Sequence, residues 1–96
     1  MNYKLGRRAS RDLEEIVRYI AQDSPAAAEK WLESIFARFD SLAAAPLMGR
    51  KRDDLRSGYR SIVFGQYVVF YRVTKSQVWI AHVLHGKRDL ARLIGN

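Results

Sequence analysis

Cysteine is absent from this 96-residue chain, and the chain has only two histidines and two prolines. Without cysteine, disulfides and zinc–thiolate sites are excluded, so a reducing cytoplasm is the compartment we expect. No apolar run approaches the roughly 20 residues that a membrane-spanning helix needs, and Met1–Arg8 lacks the apolar segment of a secretion signal. We therefore expect a cytoplasmic, membrane-independent protein with a single domain over residues 1–96.

Acidic residues are scarce relative to basic ones. Seventeen lysines and arginines face ten aspartates and glutamates, which gives a formal net charge of +7. A field of this sign favours polyanionic partners, either nucleic acid or an acidic protein. A charged surface that only aids solubility gives the same composition, so charge alone does not choose between these readings.

Recognisable catalytic motifs are also missing. Gly86-Lys87 lacks the flanking residues of a phosphate-binding loop, and no G-x-S-x-G or cysteine nucleophile occurs. His82 and His85 lie three apart on a predicted strand, so their side chains point to opposite faces and share no metal unless the strand bends. We expect no metal and no cofactor, a structural role for His82, and a hydrogen-bonded turn at His85.

The N-terminal half has the pattern of a strand followed by two helices. Asn2–Gly6 alternates like a short strand, and apolar residues then recur at helical spacing over Ala9–Ala21 and Ala28–Leu42. Between them, Ser24 is placed to cap the second helix and Pro25 suits its first position. Three acidic residues lie early in the first helix, where carboxylates complement the positive end of its dipole: Asp12, Glu14 and Glu15.

The C-terminal half changes to strand-like periodicity. Tyr59–Phe64 and Tyr67–Val73 flank Gly65-Gln66, which predicts a hairpin with a type II′ turn. The nearly continuous β-branched and aromatic second segment predicts an interior strand. Val78–Leu84 predicts the last strand, and residues 87–94 predict a short terminal helix.

These elements predict an α+β fold. An N-terminal strand and three antiparallel C-terminal strands form the sheet, an antiparallel helical hairpin covers one face, and a short helix ends the chain. The other face is expected to stay open and to carry arginine and tyrosine. Trp31 and Trp79 are interpreted as core or interface residues because both lie in apolar patterns. The predicted buried set is Leu13, Ile16, Ile20, Trp31, Ile35, Phe39, Val69 and Tyr71.

Two groups of basic residues are the candidate binding residues. The first lies in or beside the charged segment Leu47–Ser57, and the second lies near the C-terminus. If the fold brings them together, they form a contact surface for a polyanion or a protein target. Alternatively, several of them only pair with Asp53, Asp54 and Asp89. The candidates are Arg50, Arg52, Arg56, Arg60, Lys87, Arg88 and Arg92.

Five segments, in order and together spanning most of the chain, resemble the ParE/RelE superfamily of bacterial type II toxins, and the ParE branch in particular. They are Ala9-x-x-Asp12-Leu13-x-x-Ile16 with Tyr19-Ile20, Pro46-x-x-Gly49-Arg50-x-Arg52-x-Asp54-Leu55, Gly58-Tyr59-Arg60-Ser61, Tyr67-Val68-Val69-Phe70-Tyr71-Arg72-Val73, and Val83-Leu84-His85-Gly86-x-Arg88-Asp89-Leu90.

The resemblance implies a growth-inhibiting toxin that a cognate antitoxin wraps and neutralises in a hetero-oligomeric complex. Members of the RelE type cut messenger RNA on the ribosome. Members of the ParE type act on DNA gyrase and block replication. The resemblance therefore implies an antitoxin with an amphipathic C-terminal segment as partner, and either gyrase or ribosome-bound RNA as target.

The branch depends on which side chains remain at the nuclease positions. Arg60 and Arg88 stay basic, whereas Ile62, Val68 and Ile94 align with the Lys, Arg and Tyr of RelE-like nucleases. An apolar side chain neither transfers a proton nor pairs with phosphate. We therefore expect no catalytic residues and a gyrase inhibitor. The alternatives are a RelE-like nuclease using Arg60, Arg88 and His85, and a non-toxic basic RNA-binding module.

Overall fold

A computed structural model describes residues 1–89 and confirms the α+β fold. The elements are β1 (Asn2–Leu5), α1 (Arg7–Asp23), α2 (Pro25–Ala44), β2 (Arg50–Lys51), β3 (Tyr59–Phe64), β4 (Tyr67–Val73) and β5 (Gln77–His85). Neither helix is long and apolar enough to cross a membrane.

The five strands form one mixed sheet in the order β1-β5-β4-β3-β2. β1 runs parallel to β5, and the other neighbouring pairs are antiparallel. β4 lies between β5 and β3, which confirms it as an interior strand. Phe70 pairs with His82 while Tyr71 pairs with Ile80, so Ala81 is an extra residue that interrupts the ladder.

The two helices pack together on one face of the sheet. The second helix is capped as expected, because the Ser24 hydroxyl accepts a hydrogen bond from the Ala27 N–H at 3.1 Å and Pro25 occupies the first turn. The first helix begins at Arg7, ahead of the predicted Ala9. Its first turn therefore contains no acidic residue, and the predicted dipole role of the carboxylates that begin at Asp12 is wrong.

The core lies between the helices and the sheet. Six of the eight predicted core residues are buried, and Ile20 and Trp31 are half-buried where they pack against its edge. Trp79 is not in the core, so of its two predicted roles only the interface role stays a prediction. It is half-buried and lies opposite Lys4 on β1 and Arg72 on β4, on the face away from the helices.

The connecting segments show two further differences. The charged segment after the second helix contains a short edge strand, β2, that periodicity did not reveal because only two residues pair. Of the predicted terminal helix, Lys87–Asp89 form a turn, and the rest lies outside the described residues. The hairpin turn agrees with type II′ geometry, since Gly65 has a φ of +60° and no non-glycine residue among residues 1–89 has positive φ.

Phe39 provides a direct test of the core. Its side chain is fully buried, and the centre of its ring lies 5.4 Å from the ring centre of Tyr3 and 6.0 Å from that of Phe36. We expect Phe39→Ala to lower the free energy of unfolding by about 3–5 kcal/mol in urea titrations, because it opens a cavity. Glu33→Ala, on an exposed position of the same helix, is the control and should change it by no more than about 0.5 kcal/mol. Equal effects would contradict this packing.

Candidate functional site

The sheet face opposite the helices, here called the open face, is defined by strand register. Alternate residues of each strand point toward it. They are Lys4, Arg50, Tyr59, Ser61, Val63, Val68, Phe70, Arg72, Trp79, His82 and Leu84. The face is open only in part, because Phe70 is fully buried with the Arg52 guanidinium 5.5 Å from its ring centre.

Residues 46–58, here called the arginine loop, are anchored by Tyr71. The Gly49 N–H donates to the Tyr71 hydroxyl at 2.8 Å, and that hydroxyl donates to the Pro46 carbonyl at 2.8 Å. A Cβ at position 49 would overlap the tyrosine ring and hydroxyl, so glycine is required there. Burial raises the pKa of Tyr71, so its hydroxyl keeps its proton for this donation.

Arg60 supports the same loop from β3. One guanidinium nitrogen donates to the Gly49 carbonyl at 2.9 Å and to the Leu47 carbonyl at 3.2 Å. These backbone contacts give Arg60 a positioning role. Its predicted roles, as a target contact or as a nuclease residue, remain predictions.

Arg52 is committed to contacts within the loop. Its guanidinium donates to both carboxylate oxygens of Asp54 at 3.2 Å, and this pairing lowers the pKa of Asp54. It also reaches the Ser61 hydroxyl at 3.4 Å. The expected arginine partner is thus confirmed for Asp54 but is wrong for Asp53, whose carboxylate accepts the Gly58 N–H at 2.8 Å.

Arg50 and Arg56 are the outward-facing charges of the loop. Both are exposed, and within residues 1–89 neither forms a salt bridge. Arg50 lies opposite Ser61 in the sheet, and the Arg56 guanidinium lies 6.0 Å from the ring centre of Tyr59. These two side chains are therefore available to a partner.

The second basic group lies in the turn after β5. His85 organises this turn: its Nδ1 accepts the N–H groups of Lys87 and Arg88, each at 3.2 Å, and its own N–H donates to Asp89 at 3.0 Å. The expectation of a hydrogen-bonded turn residue at His85 is confirmed. Arg92 lies outside the described residues.

The fold does not join the two basic groups within the described chain. β3 begins at Tyr59, beside the arginine loop, and ends at Phe64. Phe64 pairs with Tyr67 of β4, and Tyr67 in turn pairs with His85, beside the second basic group. Five residue steps of a strand separate these ends by about 16 Å. Instead, Arg88 lines a cleft with Arg8 and Arg11 of the first helix. Sequence patterns missed this grouping because nearly 80 residues separate its members.

A buried carboxylate holds the first helix against β5 beside this cleft. Asp12 accepts the Val83 N–H at 3.0 Å, and Arg8 lies 4.0 Å away. Burial raises the pKa of Asp12, although the backbone hydrogen bond and Arg8 oppose the shift. Asp12 thus fixes the position of Arg8 and Arg11 relative to the turn that carries Arg88.

The apolar residues that align with nuclease side chains lie on different faces of the sheet. Ile62 belongs to the core on the helix side, whereas Val68 is on the open face. Ile94 lies outside the described residues. His82 is half-buried on the open face, and burial, with Arg8 and Arg56 nearby, lowers its pKa.

Fold and surface together define a small basic α+β domain whose arginine loop is held rigidly on a mixed sheet. A family model described as the ParE toxin of the type II toxin–antitoxin system parDE matches residues 3–90. The chain belongs to this family of toxins.

Three known proteins illustrate the relationship. Toxin ParE1 of Caulobacter vibrioides is 39% identical over 94 residues, covering 97% of each chain. Toxin RelE3 of the same organism is 35% identical over 83 residues, covering 85% of this chain and 90% of that one. A solved structure titled as a chromosomal ParDE system from P. aeruginosa has a TM-score of 0.75 at 23% identity, covering 88% of this chain and 95% of that one, and it supports the fold.

Removing the Tyr71 hydroxyl tests whether it anchors the arginine loop. Tyr71→Phe leaves the buried Gly49 N–H without its acceptor, so we expect a loss of about 1–3 kcal/mol in the free energy of unfolding. Amide hydrogen exchange at Gly49 should also accelerate. Tyr59→Phe, whose hydroxyl makes no described hydrogen bond, is the control and should change neither measurement appreciably. Unchanged exchange at Gly49 in Tyr71→Phe would contradict the anchoring role.

Proposed function

We propose that this toxin inhibits DNA gyrase and that a ParD-like antitoxin neutralises it. The observation that supports the proposal most is the arginine loop: it presents Arg50 and Arg56 outward while Tyr71 and Arg60 hold its backbone in place. A preorganised charged loop loses little entropy on binding. Inhibition by binding requires charge and shape, not a group with a tuned pKa.

The gyrase target follows from family membership together with the side chains of the middle strands. The positions Ile62 and Val68 offer no proton transfer and no phosphate pairing. The chain therefore keeps the arginines and lysines expected for a contact surface. It has apolar residues at the positions where a nuclease would need polar side chains. Of the candidate residues, Arg50 and Arg56 on one side, and Lys87 and Arg88 on the other, are the proposed contacts, whereas Arg52 and Arg60 hold the loop that presents them.

Messenger RNA cleavage is the second candidate. A relative named RelE is similar over most of the chain, so similarity alone does not separate the two activities. This alternative would use Arg60, Arg88 and His85. In the described structure, one Arg60 guanidinium nitrogen is bonded to loop carbonyls and His85 Nδ1 to the backbone of its own turn, so only the other guanidinium nitrogens and His85 Nε2 are left to act on RNA.

A growth assay separates the two targets. Induction of the chain in cells should give cleaved gyrase–DNA complexes and a DNA-damage response, with messenger RNA intact. The double variant Arg50→Ala/Arg56→Ala should need about tenfold more protein for the same arrest, as expected for loss of arginine interface contacts. Arg18→Gln, an exposed charge on the first helix, is the matched control. Codon-specific RNA cuts with undamaged DNA would establish the nuclease instead, and normal growth would favour the RNA-binding module.

The proposed antitoxin contact uses an apolar cleft between the two helices. Its lining is almost entirely apolar and consists mainly of Leu5, Leu13, Val17, Leu32 and Phe36. An amphipathic segment that folds on binding fits such a cleft through its apolar face, and an acidic polar face would complement the +7 charge.

Co-expression with the adjacent gene tests this contact. We expect the two proteins to co-elute in size-exclusion chromatography at micromolar concentration. Val17→Glu places a charge in the cleft and should release the antitoxin, whereas the neighbouring exposed Arg18→Gln should not. Circular dichroism verifies that both variants fold. Separate peaks for the unmodified pair would contradict the partnership, and retained co-elution of Val17→Glu would exclude this cleft.

A further inference from the structure

Four strands place cationic and aromatic side chains in one alternating row across the open face. Lys4 pairs with Trp79, Trp79 with Arg72, and Arg72 with Tyr59. Neighbouring strands lie about 4.8 Å apart, so this row, here called the cation–aromatic row, spans about 14 Å. Arg56 extends it at the end where its guanidinium approaches Tyr59.

The two guanidinium groups of this row are held in place but not neutralised, and the Lys4 ammonium is not neutralised by a described residue either. The Arg72 guanidinium lies 5.8 Å from the ring centre of Trp79, and that of Arg56 lies 6.0 Å from Tyr59. Such contacts position a guanidinium without using up its charge. Among residues 1–89, none of Lys4, Arg56 and Arg72 forms a salt bridge, and all three are exposed.

The aromatic members are half-buried and lie between these charges. A core tryptophan or tyrosine would face the helices, but register places both Trp79 and Tyr59 on the opposite side of the sheet. Positive groups that follow a backbone, combined with rings or guanidinium groups on which bases stack, are the features that bind unpaired nucleic-acid strands. A duplex keeps its base faces stacked inside and offers only its phosphates to such a row.

We propose that the cation–aromatic row binds single-stranded DNA. Lys4, Arg72 and Arg56 contact phosphates, and the aromatic residues with the Arg72 guanidinium provide stacking surfaces for bases. The choice of DNA over RNA rests on the proposed gyrase function, since DNA is the substrate of gyrase. The row then lets the toxin hold a strand at its target, beyond the protein contacts of the arginine loop.

Fluorescence anisotropy with the purified chain and a short mixed-sequence oligodeoxynucleotide tests the proposal. Affinity should fall as salt rises from about 50 to 200 mM, and Lys4→Gln or Arg72→Gln should each reduce the slope of log K against log salt by about 0.7. Tyr59→Leu should weaken binding about fivefold or more with the slope unchanged, because it removes stacking and no charge.

Arg18→Gln removes the same charge from the helix side and is the matched control. It should leave the slope unchanged, and an effect equal to that of Arg72→Gln would overturn the assignment to this face. Equal or tighter binding of a duplex or of the matching RNA strand would overturn single-stranded DNA as the ligand. Absence of binding at about 50 mM salt would overturn the site. Because gyrase is not present in this measurement, a negative result would overturn the DNA site but not the proposed inhibition of gyrase. A failure of the gyrase proposal in the growth assay would likewise leave the measured DNA binding unchanged.

Discussion

The Tyr71 hydroxyl connects the centre of the sheet to the surface of the molecule. Its ring is fully buried on the middle strand, and its oxygen both accepts from Gly49 and donates to the Pro46 carbonyl. A buried phenol must satisfy its hydrogen-bonding groups, and here the partners are loop backbone atoms. The position of the arginine loop therefore depends on the packing of the core.

This arrangement gives the arginines two different roles: some stabilise the loop, and others project from it toward solvent. Arg60 bonds to loop carbonyls and Arg52 to Asp54, so both stabilise the loop. Arg50 and Arg56 project from the structure that those contacts fix. The residue type is common to all four, and only the geometry separates those that hold the loop from those that a partner can reach.

Much of the fold follows from local patterns. The helical stripe that contains Phe39 and the continuous apolar strand around Val69 predict the two layers, because burial imposes its own period on each element. Capping at Ser24 and the turn at Gly65 also follow from local chemistry. The short strand β2 was not predictable, since two residues carry no period and their pairing depends on distant β3.

The candidate surfaces were less predictable than the fold. The basic residues near the C-terminus and in the arginine loop were identified from composition, but the sheet separates them and places Arg88 beside Arg8 instead. The row containing Lys4, Arg72 and Trp79 was not visible, because its members come from strands that are far apart in sequence. Trp79 in particular looks like a core residue when only its apolar neighbours are considered.

The sequence by itself determined the family, the order of the two helices and the four longer strands, the excess of positive charge, and the absence of cysteine chemistry. These properties depend on residue type and short-range spacing, and both can be read from the order of residues without knowing which distant segments are in contact. Tertiary structure alone decided which face of the sheet each strand residue occupies, which arginines are neutralised, and which groups become neighbours. Face and pairing depend on strand register and on the extra residue at Ala81, both of which arise from contacts between segments distant along the chain.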